Sequence, residues 1–305
     1  MSFHDNSEGR QRVAEITLNV IGCGRVGRTL ARLWSQSGVF EIGDVFDHTL
    51  AKSHAAVAFI GGGHAVGGIV EMRRSGVWML TPPDDQIVVC CMALAQGIQL
   101  AAGNIVFHCS GALPSSDLAA TRVCGAAVAS VHPLKSFADP AAAVQTFSGT
   151  RCAAEGDAAA LAVLRPAFER IGASVRDIDA GAKMIYHAAS VFASNYLTAL
   201  LEAGARCHEK AGYSREDALR MMEPLARETL DNVFRLGTAQ ALTGPIARGD
   251  HAVVARQVAA LAQWQPRIAD IYKQLGAVAV ELAREQGGAD AVVLAAIERV
   301  LAGDK

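Results

Sequence analysis

Short apolar runs alternate with longer helical patterns through the first half of the chain. Ile16-Thr-Leu-Asn-Val-Ile21 reads as a strand closed by Gly22, and Arg25 to Gln36 as a helix closed by Gly38. Val39 to Phe46 predicts a second strand, Leu50 to Ile60 a second helix, and Val77 to Leu80 a strand running into Thr81-Pro82-Pro83. Asp84-Asp85 opens a helix through Ala95. Asn104 to Cys109 and Ala126 to Val131 are further strands, with Leu113 to Thr121 helical between them. Phe147 to Ile178 adds strand, helix and strand, with Asp157 as N-cap and Gly172 as stop. This alternation predicts a parallel, doubly wound α/β sheet.

From Ala180 the period changes. Residues 183–211, 216–236, 252–285 and 290–301 repeat apolar positions every 3.6 residues, so an all-α part follows. Ser214-Arg-Glu-Asp217 resembles a capping box with Asp in place of Glu, and Asp250 is placed to cap the third segment. The expected division is a polar, disordered tail over 1–12, an α/β domain over 13–180 and a helical domain over 181–305, the two domains sharing a tight interface.

Composition narrows the function. Hydrophobic residues are 51% and charged residues 19%, enough apolar material for sizeable cores and too much for bulk disorder. Lys and Arg number 28 against 30 Asp and Glu, a net charge of −2 that argues against a nucleic-acid surface. No uninterrupted apolar run reaches the roughly 18 residues of a membrane span, and Met1 to Arg12 lacks the apolar stretch of a secretory signal. The seven cysteines (23, 90, 91, 109, 124, 152 and 207) are an odd set without a C-x-x-C pair, which suits reduced core thiols in the cytoplasm. No metal site is expected.

Gly22-Cys-Gly24-Arg25-Val26-Gly27 fits G-x-G-x-x-G between a strand and a helix, at the start of the first β-α-β unit. The first glycine allows the tight turn, the second lets backbone approach a pyrophosphate, and the third packs helix on strand. In that context the pattern predicts a dinucleotide-binding turn, for NADP or NAD. Asp47 lies about 20 residues further on, where an acid holds a ribose 2′-hydroxyl. His48-Thr49 beside it offers a cation and a hydroxyl to a 2′-phosphate. Thr81 and Pro82, ending the next strand, complete the candidate cofactor contacts. Gly61 to Gly68 is glycine-dense, lacks the Gly-Lys-Ser/Thr of a phosphate loop, and reads as a mobile surface loop.

Ser110 and His132 follow or end strands of the sheet, and ligands of open parallel sheets lie beyond the carboxyl ends of the strands. Lys183 and His187 are one helical turn apart, and Ser190 and Ser194 extend the same face with Asn195 at its edge. Such a polar face in an Ala-rich helix predicts a cleft lining, with Lys183 as general acid/base and Ser110, His132, His187 and Asn195 contacting or orienting substrate. Thr243-Gly-Pro-Ile-Ala-Arg-Gly-Asp250 reads either as an interhelical turn or as a loop reaching a cleft.

Taken together, GCGRVG (22–27), CSGALPSSDL (109–118), HPLKSF (132–137), KMIYHAASVFASNY (183–196) and TGPIARGD (243–250) resemble Rossmann-like oxidoreductases with a C-terminal helical domain of unknown function, within the 6-phosphogluconate dehydrogenase-like group. The resemblance implies a dinucleotide domain, a helical homodimerisation domain and a small-molecule substrate, with a lean to NADP. Lys183 matches the Lys of the Lys-x-x-x-Asn helix in that group's β-hydroxyacid dehydrogenases, with His187 standing where they carry Asn. Ser110 and His132 look like the Ser and His-Pro sites of prephenate dehydrogenases. The implied activity is hydride transfer on a carbonyl/alcohol or imine/amine pair. A non-catalytic NAD(P) sensor and a deazaflavin-dependent NADP reductase are the alternatives.

Overall fold

The computed structural model describes residues 16–303; the expected tail over 1–12 lies outside the described residues. Contacts divide the chain into two compact units, Met1–Asn195 and Tyr196–Lys305. The change of period at residue 180 falls fifteen residues earlier, because the first helix after it packs with the first unit.

That unit is built on one sheet. Its elements run β1 (Thr17–Ile21), α1 (Arg25–Ser37), β2 (Glu41–Phe46), α2 (Leu50–Ile60), β3 (His64–Val66), β4 (Val77–Leu80) and α3 (Asp84–Gly97). After these come β5 (Ile105–His108), α4 (Ala119–Val123), β6 (Ala127–Leu134), α5 (Pro140–Gln145), β7 (Arg151–Gly156), α6 (Ala158–Arg170), β8 (Ser174–Asp177) and α7 (Lys183–Val191). The strand order is β3-β2-β1-β4-β5-β6-β7-β8. Strands buried on both faces explain why β1, β4 and β5 read as nearly unbroken apolar runs. On one side Trp34 of α1 packs edge-on against Phe40, Phe107 and Phe168 and donates Nε1–H to the Ala167 carbonyl at 2.9 Å. On the other, Ile87, Cys91 and Leu94 of α3 cover Trp78, Leu80 and Val106.

The sheet departs from the sequence reading in three features. The sheet is parallel from β3 through β6, but β7 is antiparallel to β6 and β8 follows β7. The register pairs Leu134 with Arg151, so the connection returns at the end where β6 stopped. Its helix α5 rises only about 9 Å, against about 26 Å for the eight residues of β6, and cannot cross back over the sheet. Gly61 to Gly68 is not simply a surface loop: residues 64–66 form edge strand β3 on β2. Gly63, at φ +92°, permits this, since a β-carbon there would lie 2.8 Å from the Gly43 carbonyl oxygen. Finally, β6 continues through His132 to Leu134, three residues past its expected end at Val131.

Asp157 occupies the N-cap of α6 without capping it; its carboxylate instead accepts Val128 N–H at 2.8 Å and pairs with Arg122. The second unit holds α8 (Leu197–Lys210), α9 (Arg215–Leu236), α10 (Thr238–Ala241), α11 (His251–Trp264), α12 (Pro266–Gln286) and α13 (Ala291–Ala302). Its core gathers Val254, Val280, Leu294, Ile297 and Leu301. The helix expected over 252–285 is broken at Gln265-Pro266, because proline lacks an N–H and turns the preceding residue extended; Gln265 has φ −148° and ψ 89°. The helix expected over 183–211 is interrupted by a π turn at Phe192–Tyr196. Ser214 caps α9 as the sequence suggests, accepting Asp217 N–H at 3.1 Å. Asp250 stands at the N-cap of α11 with no capping bond, paired instead with Arg248. Ile246 ties the 243–250 turn into the core of its own unit.

Candidate functional site

The β1–α1 turn is held from three directions. Gly22 N–H donates to the Phe46 carbonyl at 2.8 Å, Thr81 N–H to Ile21 at 2.8 Å, and the Thr81 hydroxyl to the Gly22 carbonyl at 2.6 Å. Gly22 has φ +86°, and a β-carbon there would stand 2.6 Å from the Thr81 carbonyl carbon. Gly27 lets α1 approach the strand closely: its absent β-carbon would collide with Thr81 Oγ1 and the Gly22 carbonyl oxygen. Gly24 is the opposite case, with nothing within 4 Å of the β-carbon position. Helix α1 begins there without a side-chain cap and without an acid in its first turn, so no N-cap side chain accepts from its leading N–H groups, and Gly24 itself borders open space.

That space is a cavity of about 680 Å³. Of the expected cofactor residues, Gly22, Gly24, Asp47, His48, Thr81 and Pro82 line it; Arg25, Val26 and Gly27 do not. Asp47 is turned inward. Its Oδ2 accepts Cys23 N–H at 2.9 Å, and its Oδ1 accepts His48 N–H at 2.8 Å and meets His48 Nδ1 at 2.6 Å. With Nδ1 donating to that carboxylate, His48 Nε2 accepts from Lys52 Nζ at 3.0 Å. Lys52 and Arg28 also line the cavity and were missed in the sequence, where each reads as an ordinary helix-surface cation. Arg28 gives Nε and Nη2 to the Cys23 carbonyl at 2.9 and 2.8 Å.

A second cavity, of about 500 Å³, lies at the end of β6 against α7. His132, His187 and Asn195 line it together with Tyr186, Ser190 and Ser194. Ser110 and Lys183 sit behind it. The Ser110 hydroxyl donates to Asp84 at 2.9 Å and accepts Ala112 and Leu113 N–H at 3.2 and 3.0 Å, closing its own turn. Lys183 is fully buried, donating from Nζ to the Ser110 carbonyl at 3.0 Å and to Ser130 Oγ at 2.8 Å. Burial pulls its pKa down, against the attraction of Glu155 and Asp84.

Tyr186 is the other residue that the sequence reading passed over. Its hydroxyl is 3.0 Å from His132 Nδ1, and the rings meet edge-on. Burial, helped by the charge of Lys183, pushes the His132 pKa down to about 4, so the ring is neutral at pH 7. His108, deeper in the sheet, is also lowered to about 4 by burial; it accepts Ser110 N–H at Nδ1 and therefore donates from Nε2 to the Pro114 carbonyl. His187 Nδ1 is buried without a hydrogen-bond partner, a state that costs roughly 1–3 kcal/mol. Among the described residues no group of three or more His, Cys, Asp or Glu is placed to hold a metal ion, and no helix is long and apolar enough to cross a membrane. All seven cysteines are free thiols.

The first unit thus has the architecture of a dinucleotide-binding α/β fold with antiparallel additions at one edge. Residues 150–279 match the family model of a domain of unknown function, DUF2520. A Thermotoga maritima protein of known structure has 23% identity and a TM-score of 0.69, with 88% of this chain and 99% of that one aligned. A Bacteroides fragilis protein described as an NADP oxidoreductase has 19% identity and a TM-score of 0.72, over 88% and 98% of the two chains. An imine reductase of Myxococcus stipitatus, solved with NADP+, has 19% identity and a TM-score of 0.61, over 92% and 98%. These likenesses establish the fold. No curated protein matches the chain by sequence.

Proposed function

We propose that the protein is an NADP(H)-dependent oxidoreductase acting on a small polar substrate, a carbonyl/alcohol or imine/amine pair. The observation that carries this reading is the uncapped N-terminus of α1, opening through the bare Gly24 position into a cavity bounded by His48 and Lys52. Those N–H groups and the helix dipole suit a pyrophosphate. The NADP linkage in the descriptions of the Bacteroides and Myxococcus proteins agrees with it. When bound, the dinucleotide supplies the hydride. Asp47 braces the turn, each of its carboxylate oxygens accepting a backbone N–H, and a 2′-phosphate beside it needs a nearby cation. Lys52, its Nζ 3.0 Å from His48 Nε2, offers the cation to that phosphate. His132, His187 and Asn195 face the second cavity, where a neutral imidazole holds a proton for the substrate.

Calorimetric titration with NADPH and NADH tests the reading, and a panel of 2- and 3-oxo acids and cyclic imines then tests NADPH oxidation. Lys52→Gln should weaken NADPH binding about tenfold, the worth of one charge-assisted hydrogen bond in an exposed setting, and leave NADH unchanged. Equal losses for both would remove Lys52 from the phosphate site. Failure to bind either dinucleotide would remove the oxidoreductase itself.

The helical unit is read as a homodimer surface. Phe234 is 86% exposed and Leu225 67% exposed, both on α9, and Leu200, Ile271 and Leu275 border an apolar groove in the same unit. Apolar surface of this extent usually marks an interface. Light scattering should return twice the 31.9 kDa chain mass, and a monomer at micromolar concentration would count against the pairing. The seven free thiols suit a reducing cytoplasm.

A further inference from the structure

The antiparallel edge of the sheet carries two arginines that the dinucleotide reading does not use. The register of β7 on β8 pairs Arg151 with Ser174 and Ala153 with Arg176, and side chains alternate along each strand. Arg151, Ala153, Ser174 and Arg176 therefore share one face. Cys152, Ala154 and Val175 turn the other way, into the core under α6. Arg151 reaches across to β8 and donates from Nη1 to Ser174 Oγ at 2.8 Å. Ser174 is two residues from Arg176, about 7 Å along the strand, so this bond draws the Arg151 fork toward the strand that carries Arg176. Both arginines line a third cavity, of about 490 Å³.

The two acids of these strands are committed elsewhere. Asp177 borders the same cavity, but its carboxylate pairs with Arg165 of α6. Glu155 accepts Ser115 N–H at 2.6 Å and the Ser115 hydroxyl at 2.7 Å. Arg176 makes no hydrogen bond or ion pair among the described residues, and Arg151 makes only the bond to Ser174, which leaves most of its N–H donors free. A cleft lined by uncompensated charge of one sign concentrates ions of the other. Planar guanidinium forks present parallel N–H groups that match the paired oxygens of a carboxylate or phosphate.

We infer that Arg151 and Arg176 form an oxyanion site, which takes a phosphate or carboxylate group beside the His132 cavity. The two cavities adjoin, sharing Leu134 and Tyr186. His132 of β6 pairs with Ala153 of β7, so His132, Ala153 and Arg176 form one cross-strand row, its ends about 10 Å apart at their Cα atoms. Lys135 adds a cation to the second cavity, whose lining includes no acid among the described residues. The oxyanion has two possible sources, the charged end of the substrate or a free anion. Assigning it to the substrate rests on the oxidoreductase reading, but the site itself does not.

The test uses the full chain labelled with ¹⁵N-arginine at pH 7. Inorganic phosphate, and more weakly acetate, should shift the Nε–H signals of Arg151 and Arg176 saturably and with one midpoint, whereas sodium chloride at equal ionic strength should not. Reading those two signals keeps the result apart from phosphate held at the α1 turn. Arg176→Gln should weaken phosphate about tenfold or more at the Arg151 signal, the worth of one charge-assisted hydrogen bond, and Arg151→Gln should do the same at the Arg176 signal. Arg256→Gln, on an exposed face of the helical unit, should change nothing. Both site arginines are exposed, so the variants should fold; should one fail, the other and the parent titration still decide. No saturable shift at either arginine, two different midpoints, an equal response to chloride, or a loss in Arg176→Gln no greater than in Arg256→Gln would each overturn the inference. Once a substrate is in hand, its source is read from kinetics. A KM raised about tenfold in Arg176→Gln at unchanged kcat, with phosphate competing against substrate, assigns the oxyanion to the substrate; an unchanged KM assigns it to a free anion. NADPH titration of the same sample separates the two readings. NADPH binding without an arginine response removes only the oxyanion site, whereas an arginine response without NADPH binding keeps the site and removes the oxidoreductase reading.

Discussion

Gly24→Val should fold like the parent and lose NADPH affinity by about 100-fold or more. A β-carbon at Gly24 meets no atom within 4 Å, and the residue's φ of −65° and ψ of −163° suit any side chain. The protein alone therefore has no reason to resist valine, and the urea midpoint should hold. The branched side chain instead stands over the leading N–H groups of α1, where the pyrophosphate is proposed to lie. Losing two charge-assisted hydrogen bonds at roughly 1.5–3 kcal/mol each accounts for the expected drop. Gly22→Ala should behave in the reverse sense. Its φ of +86° costs an L-residue roughly 1–2 kcal/mol, and its methyl would press on the backbone of Thr81 and Pro82, adding roughly 1–3 kcal/mol. Calorimetry and urea denaturation of the two variants separate these effects. A Gly24→Val protein that bound NADPH as the parent does would place the dinucleotide elsewhere or nowhere.

The contrast between Gly22 and Gly24 marks what local sequence carries. G-x-G-x-x-G between an apolar strand and an amphipathic helix is a local pattern, so β1, the turn and α1 were legible within a residue or two. The direction of β7 was not, because nothing in Arg151–Gly156 records which end of β6 the chain leaves from; the shortness of α5 decides it. The cleft face was legible in part for the same reason. Helical spacing put Lys183 and His187 on one face, and they do share α7, but spacing is blind to depth. Lys183 is buried against Ser110 and Ser130, while His187 lines the cavity. Tyr186, one residue out of step with the polar stripe, meets His132 only because β6 runs on past its expected end, a long-range fact without a local signal. Asp47 shows the converse, since it borders the first cavity just past the end of β2 while its carboxylate is engaged by backbone N–H groups.

Depth also decides which substitution should cost the most turnover. The sequence reading gives that place to Lys183; the structure moves our expectation to His132, which reaches the cavity. His132→Gln should keep NADPH binding and lose turnover by about 10²–10⁴-fold, the usual worth of a positioned proton donor. Lys183→Met should lose about tenfold, acting only through its neighbours. Methionine fills a similar volume, and Ser130 Oγ still donates to the Ser110 carbonyl at 3.3 Å once the ammonium is gone. Removing a buried charge should leave stability at pH 7 unchanged or raised. The pH dependence fixes the sign. Burial lowers the Lys183 pKa, so between that value and the ordinary one near 10.4 the unfolded chain binds more protons than the folded chain. Unfolding free energy of the parent therefore rises with pH through that window, and any advantage of Lys183→Met should shrink across it, as urea titrations at successive pH values would read. Loss of the Lys183 charge should also raise the His132 pKa from about 4, moving the acid limb of turnover to higher pH. If Lys183→Met instead lost 10²–10⁴-fold while the His132 titration stayed in place, the proton would belong to Lys183, and its ammonium would have to leave Ser110 and Ser130 to deliver it.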